Sequence, residues 1–286
     1  MLHFEPCPIK INSALFVLGR REDGRHDLLT FFRRLGPVET LTIREGDGNN
    51  VRDRLFLRDA ALGLGRDNLV LRAAAHLRRE GVPLPSLEVG LVKRIPAGSG
   101  LGGGSGNAAA LWRWALRRFG GTLAPERSLP LGADVPFLAS GAASALAGGL
   151  GERMEFLPGG EDCLPLVLAV PRWRSSTAAA FVRLDARGGG ELRNEGAARE
   201  RIRDLRGRLR AGRRVGLLPN DFAPILCEEH NEYGEAFRVA SSAGALGWGL
   251  SGSGSAFFAL YPPGELSRGV RTWSRFGWIE NLYAWE

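Results

Sequence analysis

The sequence predicts an α+β protein of two domains, residues 1–157 and 158–286, divided where the composition changes at 155–163. Three stretches carry that prediction. An alternating hairpin opens the chain, a strand breaks into a glycine loop and a helix near residue 100, and a glycine-serine turn feeds an apolar strand near residue 250. No unit of about 20–50 residues recurs, which excludes solenoids and propellers.

Taken in order, residues 9–19 ("IKINSALFVLG"), a turn at Asp23-Gly24 and residues 25–32 ("RHDLLTFF") read as the hairpin. Residues 67–79 read as a helix, with Asp67 as N-cap, Val70, Ala74 and Leu77 on one face and Gly81 closing it. Residues 86–92 ("SLEVGLV") alternate as a strand does. Residues 107–119 place Ala108, Leu111, Trp112, Ala115 and Phe119 on one helical face before Gly120. Residues 131–157 read as a buried turn passing into strands, and 163–170 ("CLPLVLAV") as a buried strand. A helix capped by Ser175 or Ser176 follows, then a hinge at 188–190. The arginine-rich segment 199–214 reads as an amphipathic surface helix with Ile202, Leu205 and Leu209 on its apolar stripe.

Composition narrows the function classes. The 286 residues are 44% hydrophobic and 24% charged, values of a globular protein. The start "MLHFEPCPIK" lacks the apolar core of a signal peptide, so the expectation is a soluble, cytoplasmic protein without a membrane partner. Cys7, Cys163 and Cys227 are odd in number and scattered, which argues against a disulfide framework or a zinc site and for small apolar fillers. A net charge of +7 suits either a polyanion or a phosphorylated small molecule. The only lysines are Lys10 and Lys93; every other cation is arginine. A lysine retained on that background points to work for a compact ammonium.

The loop "PAGSGLGGGSG" is the strongest chemical signal, with six glycines between Gly98 and Gly106. Glycines opening onto a helix N-terminus collect unpaired N–H donors at the positive end of the dipole, where phosphate binds. No lysine follows the loop, which excludes a Walker A nucleotidase. Gly98-Ser99-Gly100-Leu101-Gly102-Gly103 spells the dinucleotide fingerprint, but Lys93-Arg94-Ile95-Pro96 separates it from its strand, and Glu126, at the distance of the expected acid, lies in a loop. Protein-kinase signatures are absent.

Phosphoryl transfer also needs a group to take the acceptor's proton. Asp134, between Ala133 and Val135 and followed by Pro136, is either that base or a structural cap. Lys10, early in an alternating strand, is either its partner or a snorkelling edge residue. If they meet, the ammonium keeps the aspartate ionised and favours the developing charge.

These stretches resemble the GHMP kinase superfamily. Residues 96–110 look like its phosphate loop and "LSGSGSAFFAL" (250–260) like its C-terminal glycine motif. "PIKINSALFVLGRREDGRHDLLTFF" (8–32), "LGADVPFLASG" (131–141) and "NDF" (220–222) resemble, within it, the family of kinases acting on 4-diphosphocytidyl-2-C-methyl-D-erythritol. The resemblance implies an N-terminal domain like ribosomal protein S5 domain 2 and a ferredoxin-like C-terminal domain. It implies ATP as phosphoryl donor, magnesium with it, and a small-molecule partner carrying a cytidine diphosphate group, with no stable nucleic-acid partner.

By position, the resemblance makes Lys10 and Asp134 the catalytic pair, with Asp134 as base. It gives Asn12, Arg25, His26, Thr177 and Phe181 to the substrate, His26 reading the cytosine. ATP falls to Asn68, Lys93, Pro96, Ala97, Gly98, Ser99, Gly100, Leu101, Gly102, Gly103, Gly104, Ser105 and Gly106. Ser251, Gly252, Ser253 and Gly254 form the C-terminal glycine motif. This chain departs from the pattern at Arg25, where an aromatic usually stacks on cytosine; a guanidinium also stacks on bases. Gly106 stands where a second serine is usual, leaving Ser105 as the loop's hydroxyl, and Ser13 where leucine is common.

Three rival readings make different predictions. A related kinase with another hydroxylated acceptor would ignore the cytidyl substrate. An RNA-binding protein using 199–214 would show salt-steep affinity indifferent to Asp134. A dinucleotide oxidoreductase would bind NAD(P).

Overall fold

The computed structural model describes residues 1–46, 52–57, 68–157, 164–191 and 194–286. The chain forms two compact units that interleave in sequence. One comprises Met1–Lys10, Arg34–Ala97 and Gly102–Ala142; the other Ile11–Arg33, Gly98–Leu101 and Ala143–Glu286. The hairpin strands are longer than the alternation predicts: β1 spans Leu2–Arg20 and β2 His26–Glu45, and each runs from one unit into the other. Gly24, at φ 81°, turns the chain, and Asp23 Oδ1 accepts the Arg25 N–H at 3.0 Å. Beyond Phe32, Gly36 and Pro37 interrupt the alternation. Alternate burial resumes at Glu39, Leu41 and Ile43 once β2 meets a partner.

In the first unit, β3 (Arg54–Leu57) runs parallel to β4 (Leu87–Val92), and β4 runs antiparallel to β2 from Thr40↔Val92 to Glu45↔Leu87. Helices α1 (Leu69–Arg79), α2 (Gly103–Phe119) and α3 (Val135–Ser140) complete it. The apolar faces read from sequence are buried: Val70, Ala74 and Leu77 on α1, and Ala108, Leu111, Trp112 and Ala115 on α2. Burying a side chain of this kind stabilises by about 1.5–3 kcal/mol.

Three expectations are corrected here. The cap of α1 is Asn68, whose side chain accepts the Val70 N–H at 2.9 Å; Asp67 lies outside the described residues. Helix α2 begins at Gly103, not Asn107, so the last loop glycines form its first turn. Low helix propensity hid that turn, and tertiary packing supplies what propensity lacks. Helix α3 was likewise read as a turn, although Pro136 in its first turn is a common starting signal.

In the second unit the first half of β2 pairs antiparallel with β5 (Ser144–Gly149), and β5 with β6 (Arg153–Leu157). Next come β7 (Leu166–Pro171), α4 (Thr177–Ala186), α5 (Glu195–Arg210), β8 (Gly216–Leu217), α6 (Ala223–Glu229) and α7 (Glu232–Ser242). The chain ends with β9 (Gly247–Leu250), β10 (Phe257–Leu260), α8 (Leu266–Trp273) and β11 (Ile279–Trp285). A second sheet runs β11-β7-β10-β9-β8, antiparallel except for the β8–β9 pair. Its core gathers Val167, Ala169, Leu250, Phe257, Tyr233 and Trp273.

Ser176, not Ser175, caps α4. Helix α5 starts at Glu195, capped by Asn194, and buries Ala198, Ile202 and Leu205, with Leu209 half-buried. Arg206 lies over the Phe31 ring at 4.8 Å and Arg199 pairs with Glu195 and Glu155, so these arginines brace the helix on its own unit. Cys7 is fully buried and desolvation pushes its thiol up to about 11, as an inert filler requires; Cys163 lies outside the described residues. No described helix is long and apolar enough to cross a membrane.

Candidate active site

Strand β1 delivers Lys10 into the first unit, and the start of α3 delivers Asp134. Lys10 Nζ lies 3.5 Å from Asp134 Oδ2, with the lysine side chain 6% exposed and the aspartate 27%. Asp134 occupies the N-cap position of α3 but makes no cap hydrogen bond, so its carboxylate faces the ammonium instead of serving the helix. A β-carbon on Gly102 would stand 3.2 Å from Asp134 Oδ2 and 3.3 Å from Lys10 Cε, so the glycine loop passes directly beside the pair.

Gly102 is itself the N-cap residue of α2, at φ 64°, and offers no side chain to the first-turn N–H groups. That turn holds no acidic residue either, so the positive end of the helix is uncompensated by its own side chains. A carboxylate, an ammonium and an open helix N-terminus are therefore neighbours within one unit. This combination can deprotonate a hydroxyl and stabilise phosphate charge.

The departure at Gly106 has a steric cause. A β-carbon there would fall 1.9 Å from the Pro8 carbonyl oxygen of β1, which leaves no space for a serine unless the backbone shifts. Gly106→Ser is expected to destabilise the protein by about 1–3 kcal/mol and to weaken ATP binding, checked by thermal unfolding and nucleotide titration.

Lys93 does not stand alone at the loop. Both Glu39 oxygens accept from Lys93 Nζ at 2.8 Å; Oε1 also takes the Arg94 and Ile95 N–H groups at 2.8 and 2.7 Å, and Oε2 the Asn107 side-chain amide at 2.7 Å. The Glu39 side chain is 0% exposed. This carboxylate ties the strand end before the loop to the helix after it, with Lys93 serving the anchor. Sequence reasoning missed Glu39. The signal was there: a charged residue two positions before Leu41 and four before Ile43, at the buried phase of β2.

The second unit holds the remaining residues. Gly98 O accepts from Ser175 N and Ser255 N at 3.1 Å, Ser99 O from Ala256 N at 2.9 Å, and Gly100 O from Ser251 Oγ at 2.9 Å. The two glycine turns are thus brought together. Asn220, from the "NDF" motif, braces the second turn by donating to Leu250 O and Gly252 O at 2.9 Å. Its neighbour Asp221 accepts the Val17 and Glu191 N–H groups, while burial raises its carboxyl above the usual range. Ser253 Oγ shares a 2.8 Å hydrogen bond with Thr177 Oγ1.

Asn12 Nδ2 donates to Thr30 Oγ1 at 2.8 Å, and its main-chain N–H to Ser251 Oγ at 3.2 Å. The His26 ring stacks on Phe181 at 4.4 Å, its Nε2 lies 2.7 Å from Asp185 Oδ1, and His26 and Asp185 line a cleft of about 300 Å³. Arg25 is exposed at the hairpin and gives its guanidinium to Asp23 Oδ2 at 2.7 and 3.0 Å. Stacking on a base would require it to leave Asp23.

Residues 68–149 match the model described as GHMP kinases N terminal domain and 195–277 the one described as GHMP kinases C terminal. The 4-diphosphocytidyl-2-C-methyl-D-erythritol kinase of Solidesulfovibrio magneticus is 36% identical over 90% of this chain and 87% of its own. That of Syntrophotalea carbinolica is 32% identical over 95% of both. A crystal structure of a 4-(cytidine 5'-diphospho)-2C-methyl-D-erythritol kinase superposes with TM-score 0.78 and 28% identity over 99% of this chain and 98% of its own. Homoserine kinase from Cytophaga hutchinsonii, at 19% identity and TM-score 0.67 over 100% of this chain and 94% of its own, shares the fold.

Proposed function

Because this chain belongs to the GHMP kinase family, we propose that it transfers the γ-phosphoryl group of ATP to the 2-hydroxyl of 4-diphosphocytidyl-2-C-methyl-D-erythritol, a step of non-mevalonate isoprenoid synthesis. The observation that carries the reading is the meeting of Lys10 and Asp134 beside Gly102, at the uncapped start of α2. Asp134 accepts the proton of the attacking hydroxyl. Lys10, 3.5 Å from Asp134 Oδ2, offsets the negative charge that develops on the transferred group. The N–H groups opening α2, with residues 96–106 and the Ser105 hydroxyl, hold the phosphates of ATP. Lys93 acts through the loop it anchors, and Asn68 through the start of α1.

Magnesium accompanies ATP in this proposal and supplies neutralisation of phosphate charge when bound. No cluster of three or more His, Cys, Asp or Glu side chains is placed to hold an ion among the described residues. Ser105 Oγ is the loop hydroxyl that would meet the phosphate or the metal ion. Asn12, Arg25 and His26 bind the substrate, His26 reading the cytosine, and Thr177 and Phe181 approach the cytidine side. The proposed division into 1–157 and 158–286 follows the order of the two family stretches, whereas the compact units interleave and take 11–33, 98–101 and 143–157 with the C-terminal half.

The test is ADP release from MgATP on addition of the cytidyl acceptor to purified protein. Turnover dependent on that acceptor is the expected result. ATP binding without turnover of this acceptor would move the assignment to a related kinase with another alcohol substrate, the reading that Arg25 favours.

A further inference from the structure

We infer that Asp185 is a positioning residue for base choice: by accepting the Nε2 hydrogen of His26 it sets the ring's tautomer, and thereby favours cytosine over uracil. The inference rests on the reading above that His26 meets the base. Asp185 belongs to a stripe on α4, since Thr177, Phe181 and Asp185 follow one another at four-residue steps and share a helical face. The first two are substrate positions by resemblance; the third extends the same face by one turn. A carboxylate in the last turn of a helix opposes the dipole, so helix stability does not account for its place.

Geometry supplies what does. His26 is held on one face by the Phe181 ring at 4.4 Å and at Nε2 by Asp185 Oδ1 at 2.7 Å, with 8% of its side chain exposed. The other Asp185 oxygen lies 3.8 Å from Arg20 Nε. His26, Asp185 and Arg20 line the same cleft of about 300 Å³, with Val17, Gly19 and the glycines at 188–190.

A carboxylate only accepts hydrogen bonds, so Nε2 carries the hydrogen and Nδ1 is the ring nitrogen left to act as the acceptor. Cytosine offers an exocyclic amine, a donor that an acceptor satisfies. Uracil has a carbonyl at that position, and two acceptors facing each other leave both unpaired. An asparagine at 185 can donate to Nε2, which turns Nδ1 into a donor and reverses the preference.

The test compares kcat/KM for the cytidyl acceptor and for the same molecule carrying uracil, in wild type, Asp185→Asn and Asp185→Ala. Asp185→Asn is expected to shrink the cytidine-to-uridine ratio at least about tenfold, with KM for ATP unchanged and Asp185→Ala intermediate. A ratio within twofold of wild type overturns the inference. Wild type that turns over neither acceptor overturns the reading beneath it, and this inference with it. Nitrogen NMR of the His26 ring gives a readout free of turnover: Nε2–H in wild type, shifting toward Nδ1–H in Asp185→Asn. A wild-type ring protonated at Nδ1 alone also overturns it.

Discussion

Asp134→Asn is expected to lower kcat by several hundredfold or more while leaving ATP affinity within a few-fold of wild type. The amide is close in shape but cannot take the proton, and a positioned general base contributes about 10²–10⁴ in rate. Asp134 makes no cap hydrogen bond to α3, but the amide no longer offers a negative charge to Lys10, whose side chain is 6% exposed, so some loss of stability is expected beside the kinetic one. Steady-state kinetics in both substrates, calorimetric titration with ATP and a thermal melt separate these effects. A kcat within tenfold of wild type would remove Asp134 as the base. Lys10→Ala should lose rate as well, and the double variant little more than the worse single one, since the two act as one unit 3.5 Å apart.

Glu39→Ala should have the largest effect on stability. It deletes a fully buried carboxylate that serves Lys93, Asn107 and two main-chain N–H groups, leaving an ammonium only 12% exposed without its counter-charge. Breaking a buried pair in this way costs about 3–5 kcal/mol. Urea unfolding followed by tryptophan fluorescence should show the midpoint falling accordingly. Adding Lys93→Met, which removes the stranded charge, should recover part of the loss. It should not recover ATP affinity, because the Arg94 and Ile95 N–H groups remain unanchored at the entrance to the loop. An unchanged midpoint in Glu39→Ala would show that the carboxylate holds nothing.

Much of the molecule was legible from short-range chemistry. The alternation of 86–92, the apolar stripes of α1, α2 and α5, and the caps at Ser176 and Gly81 depend on residues a few positions apart, and the fold reproduces them. The glycine crowding around residue 100 announced an open helix N-terminus for the same reason. Where local propensity and tertiary packing disagree, as in the all-but-sidechain-free first turn of α2, packing decides.

What the sequence determined by itself is therefore the set of parts: strands, helices, a phosphate-type loop, and a lysine and an aspartate worth pairing. Only the tertiary structure decided that Lys10 reaches Asp134, that Glu39 holds both ends of the loop, and that Arg25 turns to Asp23 while His26 turns to Asp185. The reason is physical. A hydrogen bond or ion pair across the fold depends on how distant segments of the chain pack, and no periodicity or cap in one segment records which side chain of another will face it.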